Sequence, residues 1–279
     1  RREAARAGVR RLGIEAGALT LDRHDRLRTG LQGDVMMIPT REVVEKARER
    51  KDAAELRLLA RASWIAAEAG RQIPFLLRAG LTERAVAAEL DRRMRALGAD
   101  GPAFETIVLG GSRSALPHGR PGDRPFRAGD LCLADWGAAV DGYHSDCTRV
   151  WCLPPATARQ RRAYTAVLRA YRAGRRAVRG GRLRAAADTA ARAALGPLAR
   201  RFIHGLGHGV GLEIHEGPSL YRAAPGRFRA GQVVTVEPGV YVPGWGGIRL
   251  EDTVVVEGGG HRSLTGEPAA TLPRAGGAA

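Results

Sequence analysis

Cysteine, lysine and aromatic residues are all scarce in this chain. Among 279 residues there are 3 cysteines, and Lys46 and Lys51 are the only lysines. The odd cysteine count, in a chain that opens without a secretory signal, argues against a disulfide framework, and no two cysteines have metal-ligand spacing. Cys132 and Cys147 fall in apolar, strand-like stretches and read as small core residues. Aromatics make up 5% of the chain, which leaves few platforms on which nucleic-acid bases could stack. There is no run of about 18 apolar residues, so no segment reads as a membrane-spanning helix. The opening Arg1-Arg2-Glu3 lacks the apolar stretch of a secretory signal. With the cysteine pattern this predicts a cytoplasmic protein, and the missing initial Met predicts a processed chain or a fragment.

What the chain has in plenty is arginine, and its formal net charge is +16. The arginines alternate with alanine along helical stretches and form no single block. That is the pattern of solvated helix faces, so no specific nucleic-acid partner is expected. Hydrophobic residues at 44% and charged residues at 27% are ordinary for a globular protein.

Residues 1–50 read as a short α/β piece, with a helix over Arg2–Leu12, a strand at Leu19–Leu21, a helix over Arg23–Leu31 and a strand over Val35–Ile38. This piece is too small to bury a core alone. A main domain is expected over 51–279. Asp52 with Glu55 has the spacing of a capping box, and the helix it opens carries Leu56, Leu59, Ser63 and Ala66 at helical intervals. A second helix follows Thr82, with Val86, Leu90, Met94 and Leu97 on one stripe and Gly98 as its stop. Strands are expected at Thr106–Leu109 and Leu131–Ala134, and a hairpin turn at Asp141-Gly142 with a return strand over Thr148–Trp151.

The pattern then begins again. Thr157 with Gln160 is another capping box, opening a helix to about Val178, and a helix over Arg184–Leu195 closes at Gly196-Pro197. Strands follow at Val233–Val236 and Thr253–Val256. Phe126-Arg127-Ala128-Gly129 recurs as Phe228-Arg229-Ala230-Gly231. In step with that repeat, Asp135 falls on Glu237, and with three extra residues in the second hairpin Asp146 falls on Glu251. The chain therefore reads as an internal duplication, each half donating two carboxylates. Two halves related by a pseudo-twofold axis bring the four together. Four anions in one pocket protonate unless cations lie among them, which is the chemical reason to expect two divalent ions.

A further donor lies in His204-Gly205-Leu206-Gly207-His208-Gly209-Val210-Gly211. Two histidines four apart suit a helical metal pair, but each glycine costs a helix about 1 kcal/mol, so an extended segment is expected. His215-Glu216 follows. With Leu133 to Ala138, Ser145 to Arg149, Glu237-Pro238-Gly239 and Gly247 to Asp252, these stretches resemble the pita-bread (creatinase/aminopeptidase) metallopeptidases. That family includes Xaa-Pro aminopeptidase, prolidase and methionine aminopeptidase. The resemblance runs from about residue 50 to 265.

The resemblance implies an α+β pita-bread fold preceded by part of a creatinase-like N-terminal domain and its linker helix. It implies five metal ligands: Asp135, Asp146, His208, Glu237 and Glu251, with Asp146 and Glu251 bridging. It also implies a substrate-orienting His118, a His215 that contacts the tetrahedral intermediate, and a Glu237 that accepts the water proton. His204 and Arg249 mark the proline-specific branch, with Arg249 supporting Asp135. Two divalent ions are expected, Mn²⁺ first, with Co²⁺ or Zn²⁺ as substitutes. The expected activity is hydrolysis of the Xaa-Pro bond at the N-terminus of peptides. A prolidase restricted to dipeptides is the alternative, and a non-catalytic peptide- or nucleic-acid-binding relative the third reading. Proline-containing peptides are the expected partners, and a homodimer is implied where the N-terminal domain is complete. His24, His144 and His261 lie outside the motifs and read as surface residues. Trp136 reads as core filling, and Trp245 as shaping either the pocket or its own loop.

Overall fold

The structure, a computed structural model, describes residue 3 and residues 6–31 and 35–276. The chain divides into two compact units, Arg1–Arg48 and Glu49–Ala279.

In the first unit, strands β1 (Arg11–Glu15) and β2 (Met36–Thr40) pair in parallel, with Arg11 opposite Met36. A parallel pair needs a crossover, and α1 (Leu21–Leu31) lies within it. Helix α2 (Val43–Arg48) follows. Two expectations fail here. The helix over Arg2–Leu12 falls partly outside the described residues, and Arg11 and Leu12 belong to β1. The strand at Leu19–Leu21 is absent because Thr20 starts a helix instead: its hydroxyl accepts the Arg23 amide at 3.3 Å.

In the second unit, α3 (Ala53–Arg71) starts at the expected capping box: Asp52 Oδ1 accepts the Glu55 amide at 2.9 Å, and Glu55 Oε2 accepts the Asp52 amide at 2.8 Å. A short α4 (Ile73–Leu76) follows, then α5 (Glu83–Ala96), whose cap is Thr82. Next come β3 (Gly101–Pro102), β4 (Ile107–Gly110), β5 (Leu131–Trp136), β6 (Ala138–Val140), β7 (Tyr143–His144) and β8 (Cys147–Cys152). Strands β4, β5 and β8 form an antiparallel sheet in that order. The β6–β7 hairpin turns on Asp141-Gly142, whose φ values of 48° and 78° are both positive, as a tight two-residue turn requires.

The second half repeats this plan. Helices α6 (Ala158–Ala177, capped by Thr157 and Gln160) and α7 (Arg184–Leu195) precede β9 (Gly207–Gly209), β10 (Glu216–Leu220) and β11 (Val233–Val236). Then come β12 (Gly239–Val242), β13 (Gly246–Arg249), β14 (Asp252–Val256) and β15 (His261–Ser263). The sheet order is β10-β9-β11-β14-β15, with β12 and β13 as a separate hairpin. Strands β9-β11-β14 stand where β4-β5-β8 stand in the first half. The repeat is not exact in register. Leu133 pairs with Val150, but its counterpart Thr235 pairs with Thr253 and not with Val255. The slip is two residues, so every side chain keeps its face.

Alternation along β5 decides what lies where. Cys132, Ala134 and Trp136 pack with residues of α3 and α5. Leu131 and Leu133 pack with α6, α7 and the strands of the second half. Asp135 shares their parity, and so lies on the face toward the other half. Trp136 does fill the core: its Nε1–H donates to the Ala66 carbonyl at 2.8 Å. Cys132, Cys147 and Cys152 are all buried and free. Among the described residues no helix is long and apolar enough to cross a membrane.

Candidate metal centre

Asp135 lies near the end of β5 and Asp146 just before β8. Glu237 follows β11, Glu251 precedes β14 and His208 is in β9. Symmetric placement at strand ends brings the four carboxylates, together with His208 from β9, to one cavity of about 250 Å³, which His118, His204, His215 and Arg249 also line. Every residue expected at the site is therefore in this cavity. Its apolar walls are Phe104, Ile107 and Ile214, which the sequence motifs did not single out. The glycines around His208 have a steric reason. A Cβ on Gly207 would lie 2.1 Å from the Thr235 carbonyl oxygen, and one on Gly209 would lie 2.1 Å from that of Gly217. β9 is squeezed between β10 and β11, and only glycine fits on either side of the histidine.

Carboxylate oxygens of Asp135, Asp146 and Glu251 lie within 4.8 Å of one another. His208 Nε2 faces Glu237 Oε1 at 3.3 Å and Asp146 Oδ2 at 3.5 Å. Its Nδ1 lies 3.0 Å from the Gly209 carbonyl oxygen. A carbonyl can only accept, so Nδ1 carries a hydrogen and Nε2 is the atom presented to the cluster. Burial, then the charges of Glu251 and Asp135, push Asp146 well above the carboxylate range. Burial, then Glu237 and Asp135, raise Glu251 to about 8. Burial alone would lower His208, but its hydrogen bond to Glu237 and that residue's charge outweigh it and raise the imidazole to about 9. The same contact outweighs burial at Glu237 and lowers it to about 2. Burial, then neighbouring His208, lowers His215.

The donor set fits divalent cations. Among the described residues Asp135 Oδ1 and Glu251 Oε1 are buried without a hydrogen-bond partner, while the other oxygen of each is held: Asp135 Oδ2 accepts from Arg249, and Glu251 Oε2 accepts the Thr148 hydroxyl at 2.6 Å. Buried acceptors without partners are costly, and the raised carboxylates Asp146 and Glu251 mark negative charge that Arg249 and His208 offset only in part. Both features are what a metal would relieve.

Around the cluster runs a network that sequence reasoning found only in part. Arg249, 2% exposed, was expected beside Asp135 and is there. It also donates to Thr148 Oγ1 at 3.0 Å, the Pro117 carbonyl at 3.2 Å and Tyr241 Oη at 3.0 Å. Tyr241 was missed. Its Oη lies 2.9 Å from His204 Nε2, while His204 Nδ1 lies 2.8 Å from the Gly205 carbonyl oxygen. Burial lowers His204, so the ring is neutral with its hydrogen on Nδ1, and the tyrosine hydroxyl donates to Nε2. Thr235 was missed too: it accepts the His208 amide at 3.0 Å and donates to Glu237 Oε1 at 3.2 Å. Its place two residues before Glu237 in an alternating strand was the available signal.

The remaining histidines lie outside the cavity. His24, His144 and His261 are half-buried, and Nδ1 of His144 and of His261 faces a carbonyl oxygen, Gly211 at 3.3 Å and Val178 at 3.1 Å. Trp245 does not line the cavity; it packs against the core with the Arg159 guanidinium over its ring.

The profile of Metallopeptidase family M24 matches residues 57–258. An Xaa-Pro dipeptidase of Pyrococcus furiosus is 38% identical over 226 residues, which is 80% of this chain and 65% of that protein. The solved Xaa-Pro dipeptidase from Bacillus anthracis superposes with a TM-score of 0.94 at 35% identity, covering 98% of this chain and 77% of that one. The X-Pro aminopeptidase from Thermotoga maritima gives 0.91 at 32%, covering 98% and 77%. This chain thus spans just under two thirds of the Pyrococcus relative and about three quarters of each solved structure. With the duplicated halves and the carboxylate cluster between them, these matches make the chain a member of metallopeptidase family M24, with the pita-bread fold.

Proposed function

We propose that this chain hydrolyses the Xaa-Pro bond at the N-terminus of short peptides, using two divalent metal ions. The observation that carries the reading is the convergence of Asp135, Asp146 and Glu251, with His208 and Glu237 beside them, around carboxylate oxygens that have no hydrogen-bond partner among the described residues. In this reading Asp135, Asp146, His208, Glu237 and Glu251 would hold the ions. The oxygen-rich set suits Mn²⁺, with Co²⁺ or Zn²⁺ as substitutes. When bound, the ions supply Lewis acidity for activating water and the scissile carbonyl.

The chain's own side chains do the rest. Glu237 accepts the proton of the attacking water at its carboxylate. His118 and His215 present ring N–H groups to the substrate carbonyl and the developing oxyanion. A proline nitrogen has no N–H to recognise, so shape must select the ring. Phe104, Ile107 and Ile214 supply apolar walls, and the neutral His204 ring, fixed through Tyr241, is a wall without charge. Three free, buried thiols support a cytoplasmic location.

The second reading is a dipeptidase, favoured by the names of the Pyrococcus and Bacillus relatives. Gly-Pro and Gly-Pro-Pro offered together with Mn²⁺, followed by mass spectrometry beside a chelated control, separate the two. Chelator-sensitive loss of the tripeptide supports the aminopeptidase. Loss of Gly-Pro alone makes the protein a dipeptidase. Cleavage of neither by metal-loaded protein refutes both.

A further inference from the structure

Glu83 is the first residue of α5, and its carboxylate is wholly inside the protein, with 0% exposure. An acid in a first helical turn is ordinary at the surface, where it offsets the helix dipole. Burying one is costly unless donors surround it. Here the donors do not come from its own helix. Oε1 accepts the Gly110 amide at 2.7 Å, Oε2 accepts the Gly122 amide at 3.0 Å, and Arg113 Nε reaches both oxygens at 3.2 and 3.0 Å.

Gly110 and Gly122 are the two ends of one segment. The chain leaves β4 at Gly110, makes a 3-10 turn over Gly111–Ala115, passes Pro117-His118, and returns at Gly122. There the Gly122 carbonyl accepts the Arg84 amide at 3.0 Å, so α5 holds both polar groups of that peptide position. Arg113 fastens the middle: its Nη2 donates to the Arg120 carbonyl at 2.6 Å. On its other side the segment meets the second half of the domain, where the Gly247 amide donates to Ser114 Oγ at 2.8 Å and Arg249 donates to the Pro117 carbonyl. One carboxylate therefore closes the base of the segment whose tip carries His118 into the cavity.

We propose that Glu83, acting through Arg113 and the Gly110 and Gly122 amides, is a positioning residue that fixes the reach of His118 toward substrate. The proposal rests on the reading of His118 as a substrate-contacting residue. Glutamine at 83 keeps the shape but replaces one acceptor oxygen with a donor that faces other donors, so one end of the segment is released. A displacement of about 1 Å at a positioned group can cost up to about 100-fold in rate.

The test uses the Mn²⁺-loaded full chain, an Xaa-Pro peptide substrate, and the variants Glu83→Gln, His118→Ala and the double. Expected is a drop of about 10- to 100-fold in kcat/KM for Glu83→Gln, shrinking to less than about threefold in the His118→Ala background, with unchanged metal content. An equal loss in both backgrounds overturns the proposal, because it marks a general structural defect. Hydrogen exchange on the same proteins stands apart from activity. Glu83→Gln should deprotect the Gly110 or the Gly122 amide, whichever faces the new amide group, and leave those of β5 and β8 unchanged, and unaltered exchange at both glycines overturns the clamp. If His118→Ala alone leaves kcat/KM unchanged, the reading of His118 fails, and the exchange result still decides the clamp. Should Glu83→Gln not fold, Arg113→Gln, at a half-exposed position, releases the middle fastening and is expected to show the same dependence on His118.

Discussion

Stripping divalent metal from the carboxylate cluster and then raising the pH tests its electrostatics directly. Glu251 ionises near 4.5 in an unfolded chain, but burial and the charges of Glu237 and Asp135 hold it up to about 8 in the folded protein. Between those values the folded state binds more protons than the unfolded state, so stability falls as pH rises, by about 1.4 kcal/mol per pH unit. Across the window that amounts to ~3–5 kcal/mol. Asp146 is raised by the same causes and adds in the same direction. His208, raised from 6.5 to about 9, contributes stability that is complete below 6.5 and lost as pH climbs toward 9. Glu237, lowered from 4.5 to about 2, runs the other way, but its contribution is complete above 4.5 and does not change at neutral pH. His204 and His215, both lowered from 6.5, oppose this fall below about 6.5 and no longer change above it; with Glu251, Asp146 and His208 against them the net slope from pH 5 to 8 is downward and is steepest above 6.5. One kcal/mol corresponds to roughly 2–4 °C in a domain of this size, so the chelated protein should melt about 5–15 °C lower at pH 8 than at pH 5. Bound cations keep the carboxylates ionised, and saturating Mn²⁺ should flatten the slope. Differential scanning fluorimetry at half-unit pH steps, with chelator and with Mn²⁺, reads both arms, and Glu251→Gln should make the chelated arm shallower. A chelated melting temperature that is flat or rises from pH 5 to 8 would refute the reasoning, as would an Mn²⁺ shift no larger at pH 8 than at pH 5.5.

Arg249→Lys should weaken Mn²⁺ binding about 10- to 100-fold by calorimetry, because one ammonium cannot serve Asp135, Thr148, Pro117 and Tyr241 together; unchanged affinity would count against the support role. Tyr241→Phe leaves His204 Nε2 without its donor, and kcat/KM for an Xaa-Pro peptide should fall about 2- to 10-fold, with wild-type kinetics as the contrary result. Gly70→Ala places a Cβ 2.2 Å from Trp136 Cζ2. It should destabilise by about 1–3 kcal/mol in urea unfolding, although alanine is the better helix former, and a stabilised variant would show that the Trp136 ring can move aside.

The amino-acid sequence alone determined the local elements and the chemistry on offer. Asp52 with Glu55, Thr82, Thr157 with Gln160, and Asp141-Gly142 each satisfy nearby backbone groups, so helix starts and a turn could be placed without knowing what packs on them. The repeated carboxylates foretold a cluster, because equivalent positions that face the pseudo-twofold axis of a duplicated fold are brought together across it. Where local signals were weak the reading failed: Thr20 caps α1 where a strand was expected. Tyr241, Thr235 and Glu83 could not be found from their own neighbourhoods. Tyr241 matters because Arg249 and His204 reach it from different segments, and Glu83 because two glycine amides from one loop meet at its carboxylate. Only the tertiary structure decided which oxygens are held and which are left bare, and how far each acid is pushed from its ordinary range. Hydrogen bonding and Coulomb interaction depend on separation in space, and Asp135 and Glu251, which meet here, are more than 100 residues apart along the chain.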